Sequence, residues 1–424
     1  MSAEGLRARI AKLDTELKEK KAELNEIHRP PKELLNELER DKILAQRQLN
    51  NVLNLDPIAH LPLEISSEIF LLCLDPFPMP GALPHCVPRL LLSICRAWTD
   101  IALSTPALWA AIHIRFPCTR GLKNILPVWL ERVRNQFLSI SLEVERGQVD
   151  EDVVGIIWRH GQQLKHLELF EHWGIDILQC ASPGPLPSLE TLTMRGDGCF
   201  RRYSLELLRL APNLVEYLVD DIFFEVNPPK MVLPKLRRLT FGEPGIRPRC
   251  SLNVLKHLSL PQLDALKIDT SMGILLAFLE KSSPPLLELS LALRYGDADF
   301  VALAEYVPRL MWLEVWYPEY EEVENLFTVL TKPQSPFPLP NLRTLIVHLD
   351  PHVVPEHSES LWMALICALT ARRTHIQVFQ LTILDPLPAS CMPTPDILAA
   401  IRELRTDGMQ VSVSATQEPW SLFD

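Results

Sequence analysis

Apolar positions recur along this chain in three rhythms, and each predicts a different architecture. In residues 4–53, Leu6, Ile10, Leu13, Leu17, Leu24 and Ile27 follow one another at steps of 4, 3, 4, 7 and 3 among Glu, Lys and Arg. That spacing is a heptad stripe on one helix face. Arg29-Pro30-Pro31 ends the helix, because proline lacks a donor and restricts the residue before it. Leu34, Leu38, Ile43, Leu44, Leu49 and Val52 supply a second apolar face, which Pro57 closes. Two helices of similar length around a Pro-Pro corner predict an antiparallel hairpin; an intermolecular coiled coil would have the same periodicity.

The second rhythm is short and broken. Residues 56–74 open with a proline-bounded turn and continue as a helix with Ile65, Ile69 and Leu72 on one face. Pro76, Pro78, Pro80, Pro84 and Pro88 make residues 75–88 a loop. After it, residues 89–104 predict one short helix striped by Leu91, Ile94, Cys95 and Trp98. Thr105 can cap a third, with Pro106 in its first turn and Leu108-Trp109 on its buried side.

These cues resemble the F-box family, in the form abundant in mushroom-forming fungi. The resemblance is carried by Leu61-Pro62-x-Glu64-Ile65-x-x-x-Ile69-Phe70, then Leu92-x-x-Cys95-Arg96-x-Trp98-x-x-Ile101-Ala102, then Thr105-Pro106-x-Leu108-Trp109. It covers residues 56–112. The insertion from Asp75 to Val87 departs from the compact general F-box. The resemblance implies an all-helical module that docks on a Skp-like adaptor and, through it, on a cullin-RING ubiquitin ligase. Leu61, Pro62, Ile65, Ile69, Leu92, Cys95 and Trp98 would form the docking face, with Pro62 fixing the start of the first helix.

The third rhythm fills residues 113–424. Apolar-x-x-apolar-x-apolar begins at Phe137, Leu164, Leu189, Leu214, Leu236, Leu263, Leu286, Leu310, Leu342 and Val378, with separations of 27, 25, 25, 22, 27, 23, 24, 32 and 36 residues. Most fall near the roughly 20 to 29 residues of leucine-rich repeats. A prefix recurs too, as in Leu186-Pro187-Ser188-Leu189, Ala211-Pro212-Asn213-Leu214 and Leu339-Pro340-Asn341-Leu342. Each unit reads as a short strand followed by a variable helix, such as 204–211, 273–281 or 360–372; the last is helix 395–406 and the strand from Met409. One unit cannot bury its own apolar face, so neighbours must stack. The fold class is therefore α/β: an irregular leucine-rich-repeat solenoid, a curved parallel sheet with outer helices over 113–424. An all-helical F-box (56–112) and a coiled-coil helical hairpin (1–55) precede it.

Composition narrows the function. Lys+Arg 42 against Asp+Glu 53 gives a net charge of −11, which disfavours a phosphate-backbone partner. Pro 37 against Gly 15 inverts the usual order and disfavours glycine-rich phosphate loops. The start, charged by residue 4, has no secretory signal pattern, and no segment reaches the length of a membrane span. Nine cysteines without a CxxC pair argue against disulfides and structural zinc. A cytoplasmic or nuclear protein is expected, with no cofactor, no metal, no nucleic acid and no membrane.

Walker, GxSxG, HExxH and GxGxxG motifs are absent. Asp297 and Asp299 are open to a metal-pair reading but fit a solvated turn better. His352 and His357, and His166 and His172, lack ligand or catalytic spacing. Cys95 beside Arg96 reads as a packed thiol, since it sits on an apolar stripe. A binding protein is expected, not an enzyme. The strand pattern directs His166, Glu168 and Phe170, Thr191, Thr193 and Arg195, Arg238 and Thr240, Glu288 and Ser290, and Thr344, Ile346 and His348 to the open sheet face. Trp312, Glu314 and Trp316 share that face and are the candidate target-binding residues, unless residues 317–322 fold over them. The expected function is target recognition for a Skp-cullin-F-box ligase. The alternative is a scaffold that engages no ligase.

Overall fold

The computed structural model describes residues 3–26, 40–42, 44–45, 58, 61–74, 87–118, 121–144, 149–171, 177, 182–200, 204–223, 230–242, 252–292, 298–331, 337–349, 359–383 and 392–415. They fall into two compact units, Met1–Glu143 and Val144–Asp424.

In the first unit, helix Ala3–Glu26 buries Leu13 and Leu17, two members of the heptad stripe. Helical residues 40–42 and 44–45 lie against it within the same chain, since Lys42 forms an ion pair with Asp14. Ala45 is buried there and Leu44 is exposed, the reverse of the expected face. The Pro-Pro corner and most of the second stripe lie outside the described residues.

The helix Leu63–Leu72 follows, with Pro62 at its N-cap. The single helix expected over 89–104 is two, Val87–Ile94 and Arg96–Ser104. The break is at Cys95, whose extended backbone (φ −154°, ψ 174°) puts its sulfur where it accepts the Trp98 N–H at 3.5 Å. Cys95 caps the later helix and cannot lie within a continuous stripe. Pro106–Trp109 is one 3-10 turn, and Thr105 does not cap it. Its hydroxyl instead donates to the Ile101 carbonyl (2.8 Å) and meets Ser67 Oγ (2.8 Å).

Strands β1 (Ala111–Phe116) and β2 (Leu138–Val144), joined by helix Leu122–Val133, belong to this unit. The reason is a tryptophan pair. Trp109 Nε1 donates to the Ala102 carbonyl (2.8 Å), and Trp129 Nε1 to the Trp109 carbonyl (2.9 Å). The two rings meet edge-on at 4.8 Å, with Arg132 over Trp109. The first strand-helix-strand segment is thereby tied to the short helices that precede it. Phe137, the expected first apolar position, is 57% exposed, while Leu138, Ile140, Leu142 and Val144 are buried.

The second unit carries strands β3 (Leu164–Glu171), β4 (Thr191–Phe200), β5 (Glu216–Phe223), β7 (Arg238–Phe241), β9 (Ala265–Asp269), β10 (Glu288–Ala292), β11 (Trp312–Trp316), β12 (Thr344–Leu349), β13 (Val378–Ile383) and β14 (Gln410–Ala415). They pair in that order and in parallel, without a register break from β9 to β14. β6 (Met231–Val232) and β8 (Leu258–Ser259) form a separate parallel pair. Leu192, Leu239, Leu266, Leu289, Leu313, Leu345, Phe379 and Val411 occupy one buried row, and helices such as Met272–Ser282, Tyr320–Thr331 and Glu359–Ala371 bury their own apolar faces on the same side. A parallel sheet whose crossovers are helices builds its core this way.

The register also moves one unit. Leu345 pairs with Phe379 and Val347 with Leu381, so the repeat begins at Ile376, which is buried, and not at Val378, which is half-buried.

The proline prefix does more than end a helix. In each of six units the last residue of the tetrapeptide donates its N–H to the first, as in Leu189→Leu186 (3.2 Å), Leu214→Ala211 (3.2 Å), Leu310→Val307 (3.1 Å) and Leu342→Leu339 (3.3 Å). Proline's fixed φ suits the second position of such a turn. Where the third residue is Asn, its side chain reaches back to the proline carbonyl of an earlier unit: Asn213 to Pro187 (2.7 Å) and Asn341 to Pro308 (3.0 Å).

Candidate functional site

Helix Leu63–Leu72 turns its apolar residues outward. Ser66 and Phe70 are buried, while Leu61, Leu63, Ile65, Ile69 and Leu72 are 41, 47, 51, 36 and 83% exposed. An amphipathic helix in a finished core shows the opposite. The orientation has local causes. Ser66 Oγ is held between the Ile58 and Pro62 carbonyls (3.2 Å each), and Phe70 packs on Trp98 with ring centroids 4.9 Å apart. Leu90 and Leu103 add to the exposed apolar surface of the same unit. Of the seven expected docking residues, Leu61, Pro62, Ile65 and Ile69 are exposed and Leu92 and Trp98 half-buried. Cys95 is 2% exposed, so its thiol serves the helix break and is withdrawn from that face.

The second candidate lies on β10, β11 and β12 of the other unit. Glu314 stands at its centre, with Oε2 accepting from Ser290 Oγ (2.6 Å) and Oε1 3.0 Å from His348 Nε2. Burial pushes the Glu314 carboxyl up, but the hydrogen bonds from His348 and Ser290 outweigh it and hold its pKa below the ordinary value. Serine, glutamate and histidine here do not form a hydrolytic relay. The carboxylate sits between the other two, so the imidazole does not take the serine proton.

The two tryptophans have different fates. Both flank Glu314 on one strand face, two residues to either side, so they are about 13 Å apart along the strand and not side by side. Trp316 is stacked on His348 (3.5 Å between centroids, 13° between planes). The chain turns at Tyr317 (φ 54°), whose N–H reaches the His348 carbonyl (2.9 Å) and whose ring lies 6.0 Å from Trp316. The expected cover over Trp316 thus includes the first residue of that loop. Trp312, at the other end of the strand, is half-buried beside Glu288 of β10 and Thr344 of β12.

Elsewhere the open face is less open than the strand pattern predicts: Glu168 is 1%, Ser290 3% and His348 8% exposed. His166 meets Thr191 Oγ1 at 2.6 Å, and burial lowers its pKa. Asp299 caps helix Phe300–Tyr306 by accepting the Ala302 N–H (3.0 Å), which fits the turn reading; Asp297 lies outside the described residues, as do His172, His352 and His357. Among the described residues no three His, Cys, Asp or Glu side chains cluster as metal ligands, and no helix is long and apolar enough to cross a membrane. The sequence matches no protein-family model and no curated protein.

Proposed function

We propose that this protein is a target-recognition subunit of a Skp-cullin-F-box type ubiquitin ligase, non-catalytic in itself. Its first unit docks on a Skp-like adaptor and its repeat sheet holds the protein to be modified. The observation that carries the reading is the outward apolar face of helix Leu63–Leu72: Ile65, Ile69 and Leu72 at i, i+4 and i+7, with Leu61 ahead of them. A contiguous apolar helix face that the fold leaves uncovered marks an interaction surface, and a helix anchored in a partner's groove presents this spacing. Pro62 begins the helix, and Phe70 holds it from beneath by packing on Trp98. The test is capture of purified Skp adaptor by the full chain and by Ile65→Asp with Ile69→Asp. Both substitutions are at exposed positions, so folding should survive while capture is lost. Equal capture by wild type and double variant, or none by folded wild type at micromolar concentration, would leave the scaffold reading in its place.

A further inference from the structure

Resting on the reading that the repeat sheet holds the target, we propose that the open face of β10–β13 binds an extended protein segment through an arginine laid on Trp312 between Glu288 and Glu314. Glu288 and Trp312 are register partners on neighbouring strands, about 4.8 Å apart at Cα, and Glu314 is two residues further along Trp312's own strand, about 6.6 Å away. Half-buried Trp312 therefore has one glutamate beside it on the neighbouring strand and another two residues along its own. Glu288 is exposed and makes no ion pair among the described residues. Glu314 is already engaged by Ser290, His348 and the Trp316 indole, so it supplies charge to the seat while Glu288 supplies the open hydrogen-bonding capacity.

An indole face with carboxylates at its edge suits a flat, weakly hydrated cation, which gains from the ring and from the charges together. The same row continues through Thr344 to Val378, and Ile346 lies one step along beside Glu314; all three are half-buried. They offer an aliphatic floor for the residue next to the cation. The row from Glu288 to Val378 spans about 14 Å, the length of roughly four extended residues. Arg238 and Lys267 stand on β7 and β9, on the side of Glu288 away from Trp312. They repel an incoming cation from that side and leave the Trp312 side as its seat.

The test uses the full chain and fluorescein-labelled seven-residue peptides with arginine fixed at the centre and the other positions mixed. The same mixtures with citrulline or glutamate at the centre are compared by fluorescence polarisation. We expect the arginine set to bind at least tenfold more tightly than either control. Glu288→Lys and Trp312→Ala should each lose at least tenfold, and Glu288→Lys, at an exposed position, should keep the wild-type melting temperature. Equal binding of the three sets, no binding at millimolar peptide, or arginine binding untouched by Glu288→Lys would overturn the proposal. Adaptor capture on the same preparations separates the two readings: kept capture with no arginine preference rejects only the peptide site, and lost capture rejects the ligase assignment.

Discussion

Leu345→Ala removes three carbons from the middle of the repeat core and leaves a hole that neighbouring strands cannot close. Leu345 is fully buried, and its register partners Leu313 and Phe379 are buried as deeply. Those partners are pinned by parallel backbone ladders, so collapse into the space is small. Leu-to-Ala changes in cores cost about 2.7 to 5 kcal/mol, rising with the cavity that persists. Restricted relaxation puts this site in the upper half, about 4 kcal/mol. For a unit of this size each kcal/mol moves Tm by roughly 2 to 4 °C, so circular dichroism should record a fall of about 8 to 16 °C. Thr344→Ala is the control one residue away. Thr344 is half-buried on the open face, and its truncation should cost under about 1 kcal/mol. Similar losses for the two variants would refute the alternation on which the repeat core is built.

Arg372 is 2% exposed and has its guanidinium at the end of helix Tyr320–Thr331, with Nε donating to the Leu330 carbonyl (2.9 Å) and an Nη to the Pro338 carbonyl (2.5 Å). Arg372→Met leaves both acceptors unpaired and should cost about 2 to 4 kcal/mol by urea denaturation; a cost below 1 would show that the clamp is idle. Burial lowers the His166 pKa, so the unfolded chain takes up a proton at higher pH than the folded one. Stability should be full above the unfolded value of 6.5 and decline as pH falls from there toward the lowered folded pKa. His166→Gln should flatten that part of a pH series of urea midpoints; an unchanged slope would contradict the assignment. Asn213→Ala, which breaks the link to Pro187, should cost about 1 kcal/mol in the same assay.

The repeat was legible because its cause is local. Leu at alternate positions marks the buried row, and the proline prefix marks the turn before it, so the strand positions from Leu164 to Leu342 follow from spacing alone. Val378 misled because Ile376, Val378, Leu381 and Ile383 are all apolar, and only pairing with β12 decides which set faces the core. β1 carries the same pattern in Trp109, Ile112 and Ile114, but Trp109 also ends the short-helix segment, and that second role masks the strand behind it. The break at Cys95 was hidden by an unbroken helical stripe, and the thiol cap that causes it has no signal of its own in the sequence. On the open face, strand parity placed Trp312, Glu314 and Trp316 together correctly. It could not tell that His348 would stack on one tryptophan and leave the other bordered by carboxylates.

Titrating purified Skp adaptor into the full chain and measuring heat decides whether helix Leu63–Leu72 is a docking face. Removing an anchor from the centre of a docking face costs about 2 kcal/mol or more, roughly thirtyfold in affinity. Saturable one-to-one binding at micromolar affinity or better is expected, weakened at least thirtyfold by Ile65→Ala and unchanged by Trp312→Ala. No heat from folded wild-type protein, or binding indifferent to Ile65, would contradict it.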